Sequence, residues 1–116
     1  MCNLPFKQKL VELESQLGKT LVAVLANDRR RDIVPDWIAG VETVPPESMQ
    51  RIEFAHEMFG VVTKTEGSDI ARLWFCGDNV TGGGELISPI EAISIGESRF
   101  DDVKISAQRL ERDEWI

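Results

Sequence analysis

Histidine and cysteine are nearly missing from this chain, which has one of the first, His56, and two of the second, Cys2 and Cys76. A tetrahedral zinc site draws on three or four such ligands at close spacing, so none forms here without carboxylates. No metal or other cofactor is expected. Two cysteines so far apart make no disulfide framework and suit a reducing compartment. No apolar run approaches the ~18 residues of a membrane span. The opening MCNLPFKQKL lacks the apolar segment of a signal peptide, so a cytoplasmic location is expected. Positive charge is scarce too: 13 Lys and Arg stand against 20 Asp and Glu, a formal net charge of −7. That average field repels polyanions. Nucleic acid and membrane are therefore not expected as partners, and a basic protein is the better match.

The 116 residues, 42% hydrophobic and 28% charged, read as one domain over 1–116, long enough to bury a core without a disulfide or metal. Phe6, Leu10, Leu13 and Leu17 recur at helical spacing between Pro5 and Gly18, which predicts a helix over 5–17. A second helix is predicted over 46–59, entered by prolines and closed by Gly60. The apolar run TLVAVLA, 20–26, reads as a buried strand. Further strands are read around 37–44, at 60–65, at 69–76 and around 103–107. Segment 88–95 is ambiguous, but Ser88, Pro89 and Glu91 form the start signal of a short helix. The resulting expectation is an α+β domain: a mostly antiparallel sheet with the two main helices, 5–17 and 46–59, packed on one face.

Catalysis has little to work with. His56 is the only imidazole that could activate a nucleophile. Cys76 ends an apolar segment and reads as a small buried hydrophobe. Adjacent carboxylates such as Asp101 and Asp102 would point to opposite sides of a strand. An enzyme using His56 or a carboxylate is thus the less favoured class. The glycine run of GDNVTGGGE also fails as a phosphate loop, because Glu85 stands where a P-loop has its lysine and the glycine spacing is wrong for a dinucleotide fold. Asp and Asn before glycines are instead the chemistry of a flexible turn.

The same stretch, Asn79-Val80-Thr81-Gly82-Gly83-Gly84, resembles the Asp/Asn-x-Ser-x-x-Gly motif of the PilZ family, β-barrel domains that bind cyclic di-GMP. That resemblance implies a nucleotide sensor in which Asn79, Thr81 and Gly84 form the loop and Arg29, Arg30 and Arg31 the clamp. Here threonine replaces serine and the arginines are consecutive, flanked by Asp28 and Asp32.

The favoured reading is a non-catalytic binding or regulatory protein that works through a protein partner, as an inhibitor, antidote, adaptor or chaperone does. Phe54 and Met58 lie on the second face of the 46–59 helix. With Trp37 and Trp115 they are the expected contact residues, since large aromatic and thioether groups supply most desolvated contact area. The apolar stripe of the first helix is open to homodimer formation.

Overall fold

The computed structural model describes residues 5–30, 32–82 and 85–112. Four helices come first: α1 (Phe6–Leu17), α2 (Lys19–Leu25), α3 (Ile33–Ala39) and α4 (Pro46–Glu66). After α5 (Ser68–Cys76) the chain makes one antiparallel hairpin, β1 (Val80–Gly82) with β2 (Glu85–Ile87), Val80 opposite Ile87. Then follow α6 (Pro89–Ile95), a 3-10 turn over Glu97–Arg99, and α7 (Phe100–Glu111). The expected mostly antiparallel sheet with two helices on one face is overturned. Among the described residues the sheet is two strands of three residues each, and the rest of the regular structure is helical.

Each misread segment shows the same cause, a short apolar run whose period is concealed. In α2 and its C-cap, Val22, Leu25 and Ala26 are buried while Val24 is 43% exposed, so the run is one helical face widened by Ala23. In α5, Ala71, Trp74 and Phe75 are buried and Leu73 is 62% exposed, an i, i+3, i+4 pattern. In α7 the buried apolar set is Phe100, Val103, Ala107 and Leu110. Ile105, which completed the apparent alternation of a strand, faces out. The segment 37–44 begins inside α3 and leaves it as a turn after Gly40.

Gly60 does not end the second helix. α4 runs on to Glu66, 21 residues and about 31 Å long, and the strand expected at 60–65 is its last two turns. The helix tolerates a mid-helix glycine, a cost of about 1 kcal/mol against alanine, because Phe59 and Val62 on either side are buried. The start signal at 88–91 is borne out. Ser88 Oγ accepts the Glu91 backbone N–H at 3.1 Å, and Pro89 occupies the first turn.

Sharp corners join the helices. Gly18 alone separates α1 from α2, and Gly67 alone separates α4 from α5, with φ/ψ of 88/157° and 91/163°. This region of backbone space is essentially glycine's own, so one residue turns the chain where a longer loop would otherwise be needed. α4 then serves as the central post: α1, α5 and α7 pack against it, and α2 and α6 touch it. The apolar faces of all seven helices meet in one hydrophobic cluster, with Trp74, Phe75, Leu10 and Ile52 wholly inside.

Candidate functional site

A groove runs along α1 where it faces α4 and α5. Its first hollow, about 470 Å³, is lined by Glu12, Leu13 and Gln16 of α1 and by His56, Phe59 and Gly60 of α4, among others. Its second, about 450 Å³, is lined by Gln16 and Leu17 together with Leu21, Arg72, Leu73 and Cys76. Helical period explains the lining. Glu12 and Gln16 are one turn apart at the margin of the buried Leu10, Leu13 and Leu17 stripe, and His56, Gly60 and Thr63 follow one edge of α4.

Gln16 belongs to both hollows, and the Arg72 Nη1–H donates to its Oε1 at 2.9 Å, forming a polar sill between them. Arg72 is also held by Asp69 one turn earlier. At the other end, His56 Nε2 and Glu12 Oε1 are 2.8 Å apart, joining α1 to α4. An imidazole oriented by a carboxylate can act as a base, yet among the described residues no hydroxyl or thiol is hydrogen-bonded to this one. The site has an apolar floor of Leu13, Leu17 and Phe59, a polar rim, and Leu73 standing exposed on its lip.

The residues expected to make partner contacts lie elsewhere. Phe54 is buried and stacked face to face on Phe100 of α7, with ring centroids 4.0 Å apart and planes 2° from parallel. Met58 and Trp37 are buried as well, and Trp115 lies outside the described residues. The second apolar face of α4 is therefore not a presented patch, because α7 covers it. Cys76 differs in the opposite sense: it is exposed, at the end of α5 and off the Ala71, Trp74 and Phe75 face.

The nucleotide-sensor residues are not brought together as the resemblance implies. Asn79 is buried in a closed ring of hydrogen bonds. Its Nδ2–H donates to the Trp74 carbonyl at 2.8 Å, the Trp74 Nε1–H donates to Ser106 Oγ at 3.0 Å, and the Ser106 hydroxyl donates to Asn79 Oδ1 at 2.6 Å. Thr81 is exposed on β1, while Gly84 and Arg31 lie outside the described residues. Arg29 lines a separate shallow hollow with α2 and Ser94. Arg30 is held by Asp28 at 3.0 Å and lies 3.8 Å from Glu42. The hydrogen bonds from Arg30 keep the Asp28 carboxyl below its ordinary value of 3.8, against the opposing effect of burial. With a two-stranded hairpin in place of a barrel, the resemblance ends at those six residues.

Among the described residues no three His, Cys, Asp or Glu side chains stand close enough to hold a metal ion, and no helix is long and apolar enough to cross a membrane. Comparison with protein-family models, with curated proteins and with solved structures finds no match. Gln16 and Arg72 were missed in the sequence for different reasons. Gln16 reads as one more polar residue on the outer face of α1, and Arg72 sat in a segment taken for a strand.

Proposed function

We propose that the protein is a non-catalytic binding module whose partner is a protein segment, held as an amphipathic helix in the groove of α1, α4 and α5. The observation that carries this reading is the pair of hollows joined at Gln16, with an apolar floor and with Leu73 62% exposed on the lip. Grooves of this kind take the apolar face of a helix through anchors one turn apart. The net charge of −7 favours a basic segment, chiefly by speeding encounter. We take the working compartment to be the cytoplasm, where an exposed thiol such as Cys76 stays reduced.

Gly60 supplies the test. It lines the first hollow, and a Cβ added there meets no neighbouring atom within 4 Å, so Gly60→Leu directs its side chain into the groove from a position with room for it. A photo-crosslinker attached to Cys76 should trap the partner in host lysate with the wild-type chain. Gly60→Leu, with unchanged helicity, should trap it at least several-fold less. Equal trapping by both proteins removes the groove from this reading.

A further inference from the structure

One contact holds the sill between the two hollows, and it fixes the chemistry shown to anything lying across them. A guanidinium carries N–H donors and no acceptor. The Gln16 atom that meets Arg72 Nη1 at 2.9 Å is therefore its carbonyl oxygen. The amide Nε2 of Gln16 is left over, a group that only donates. It has no partner among the described residues, and it is not closed off as Trp37 Nε1 and Thr63 Oγ1 are. Arg72 also keeps free N–H groups. Its side chain is 41% exposed, and its hydrogen bonds to Gln16 and Asp69 use only part of the fork.

Position gives these donors their weight. Gln16 lines both hollows, with Leu13 in the first and Leu17 and Leu21 in the second, and Arg72 lines the second. A segment that fills both hollows must cross the sill. Donors covered by an apolar group lose their water and gain nothing in return, a cost that an acceptor removes. Asp69 does not meet that need. It lines the second hollow and not the first, and Arg72 already engages it.

We propose, resting on the groove as the partner's site, that the bound helix carries apolar anchors at positions i and i+7 with a hydrogen-bond acceptor (Asp, Glu, Asn or Gln) between them at i+3 or i+4. That spacing sets all three side chains on one helix face, with the anchors about 10 Å apart. The anchors enter the hollows, and the acceptor meets Gln16 Nε2 and Arg72. A carboxylate fits best, since it can accept from both at once and one of them is charged. This preference opposes the overall field. A net charge of −7 favours basic residues elsewhere on the partner and repels a carboxylate that nothing receives, so selection of one at the sill is a local effect.

A displayed library of helical peptides, selected on the purified protein, tests this. Each peptide has leucine at both anchor positions, alanine and lysine elsewhere, and every amino acid in turn at the central position. Asp, Glu, Asn and Gln are expected to be enriched there, and Lys and Arg depleted. In fluorescence anisotropy the peptide with central Asp should bind roughly tenfold more tightly than the one with central Ala, the gain of one charged hydrogen bond. Gln16→Glu turns the donor into an acceptor and should abolish that advantage, and Arg72→Gln should lower it. Each readout compares two peptides on one protein, so a loss of stability in a variant does not imitate it. Gly60→Leu separates the two readings. A library that yields no binder, or binders that Gly60→Leu does not weaken, removes the groove and this inference with it. Binders that Gly60→Leu blocks, but that show no central preference or keep it unchanged in Gln16→Glu, leave the groove standing and overturn the acceptor at its sill.

Discussion

Asn79 shows how a residue chosen for ligand chemistry can be committed to structure. Its amide has a donor and an acceptor at the right separation to link the Trp74 carbonyl on α5 to Ser106 on α7, and all three groups are buried. Removing it leaves the buried Ser106 hydroxyl without its acceptor and takes from the Trp74 carbonyl the shorter of its two hydrogen bonds, so Asn79→Ala should destabilise the fold by about 1–3 kcal/mol in urea unfolding. Thr81→Ala, on the exposed face of the hairpin, should stay within about 0.5 kcal/mol. Asp28 gives a prediction of pH dependence. Its folded carboxyl titrates below 3.8 because Arg30 hydrogen-bonds to it. The stability it contributes is present above the unfolded value and is lost as pH falls through the folded one. Between pH 5 and 3, wild type should therefore lose more stability than Asp28→Asn, as measured by urea midpoints at each pH. Little of this was legible beforehand, since Ser106 lies 27 residues from Asn79 in the chain and Trp74 sits in a segment that reads as a strand. The Asp28 side chain, two residues from Arg30 after a turn, was the nearest thing to a local signal.

At the level of single elements, glycine is where local reading succeeds and fails. Gly18 reads as the end of the first helix, and its φ is positive, as it is at Gly40 and Gly96 where α3 and α6 end. Gly60 was taken the same way and lies inside α4 with ordinary helical geometry. The two classes should respond oppositely to one substitution. Gly60→Ala should stabilise the protein by about 0.5–1 kcal/mol, through helix propensity and a less free unfolded chain. Gly67→Ala should cost about 1–3 kcal/mol, because no other residue holds that backbone at low energy. Thermal melts of the two variants, moving in opposite directions from wild type, check this. The amphipathic helix α1 was readable because its stripe is complete within the segment, while α6 offered only the start signal at Ser88, Pro89 and Glu91. α2, α5 and α7 were not. Short stretches with one apolar residue out of place match both periods, and only the neighbouring helices select between them.

Across the whole molecule, the aromatics decide what is core and what is surface. The Phe54–Phe100 stack joins α4 to α7 with Lys104 Nζ 5.9 Å from the Phe54 ring centroid. Phe54→Ala should then cost about 3–5 kcal/mol in chemical denaturation, as a core truncation does. The exposed contact residue expected from sequence would cost next to nothing. The groove belongs to this scale as well, since it needs side chains from α1, α4 and α5, which are far apart in the chain. Composition determined the net negative charge and the scarcity of histidine and cysteine, because these are sums over residues, and residue order by itself determined the lack of a long apolar run. Local pattern determined α1, the opening of α4 and the cap at Ser88, where every relevant contact falls within one or two turns. The tertiary structure decided the rest: that the short apolar runs are helices, that Phe54, Met58 and Trp37 face inward, and that Gln16 meets Arg72. The reason is the physics of burial. A short apolar segment adopts whichever backbone lets its neighbours cover it, and those neighbours are set by the fold as a whole.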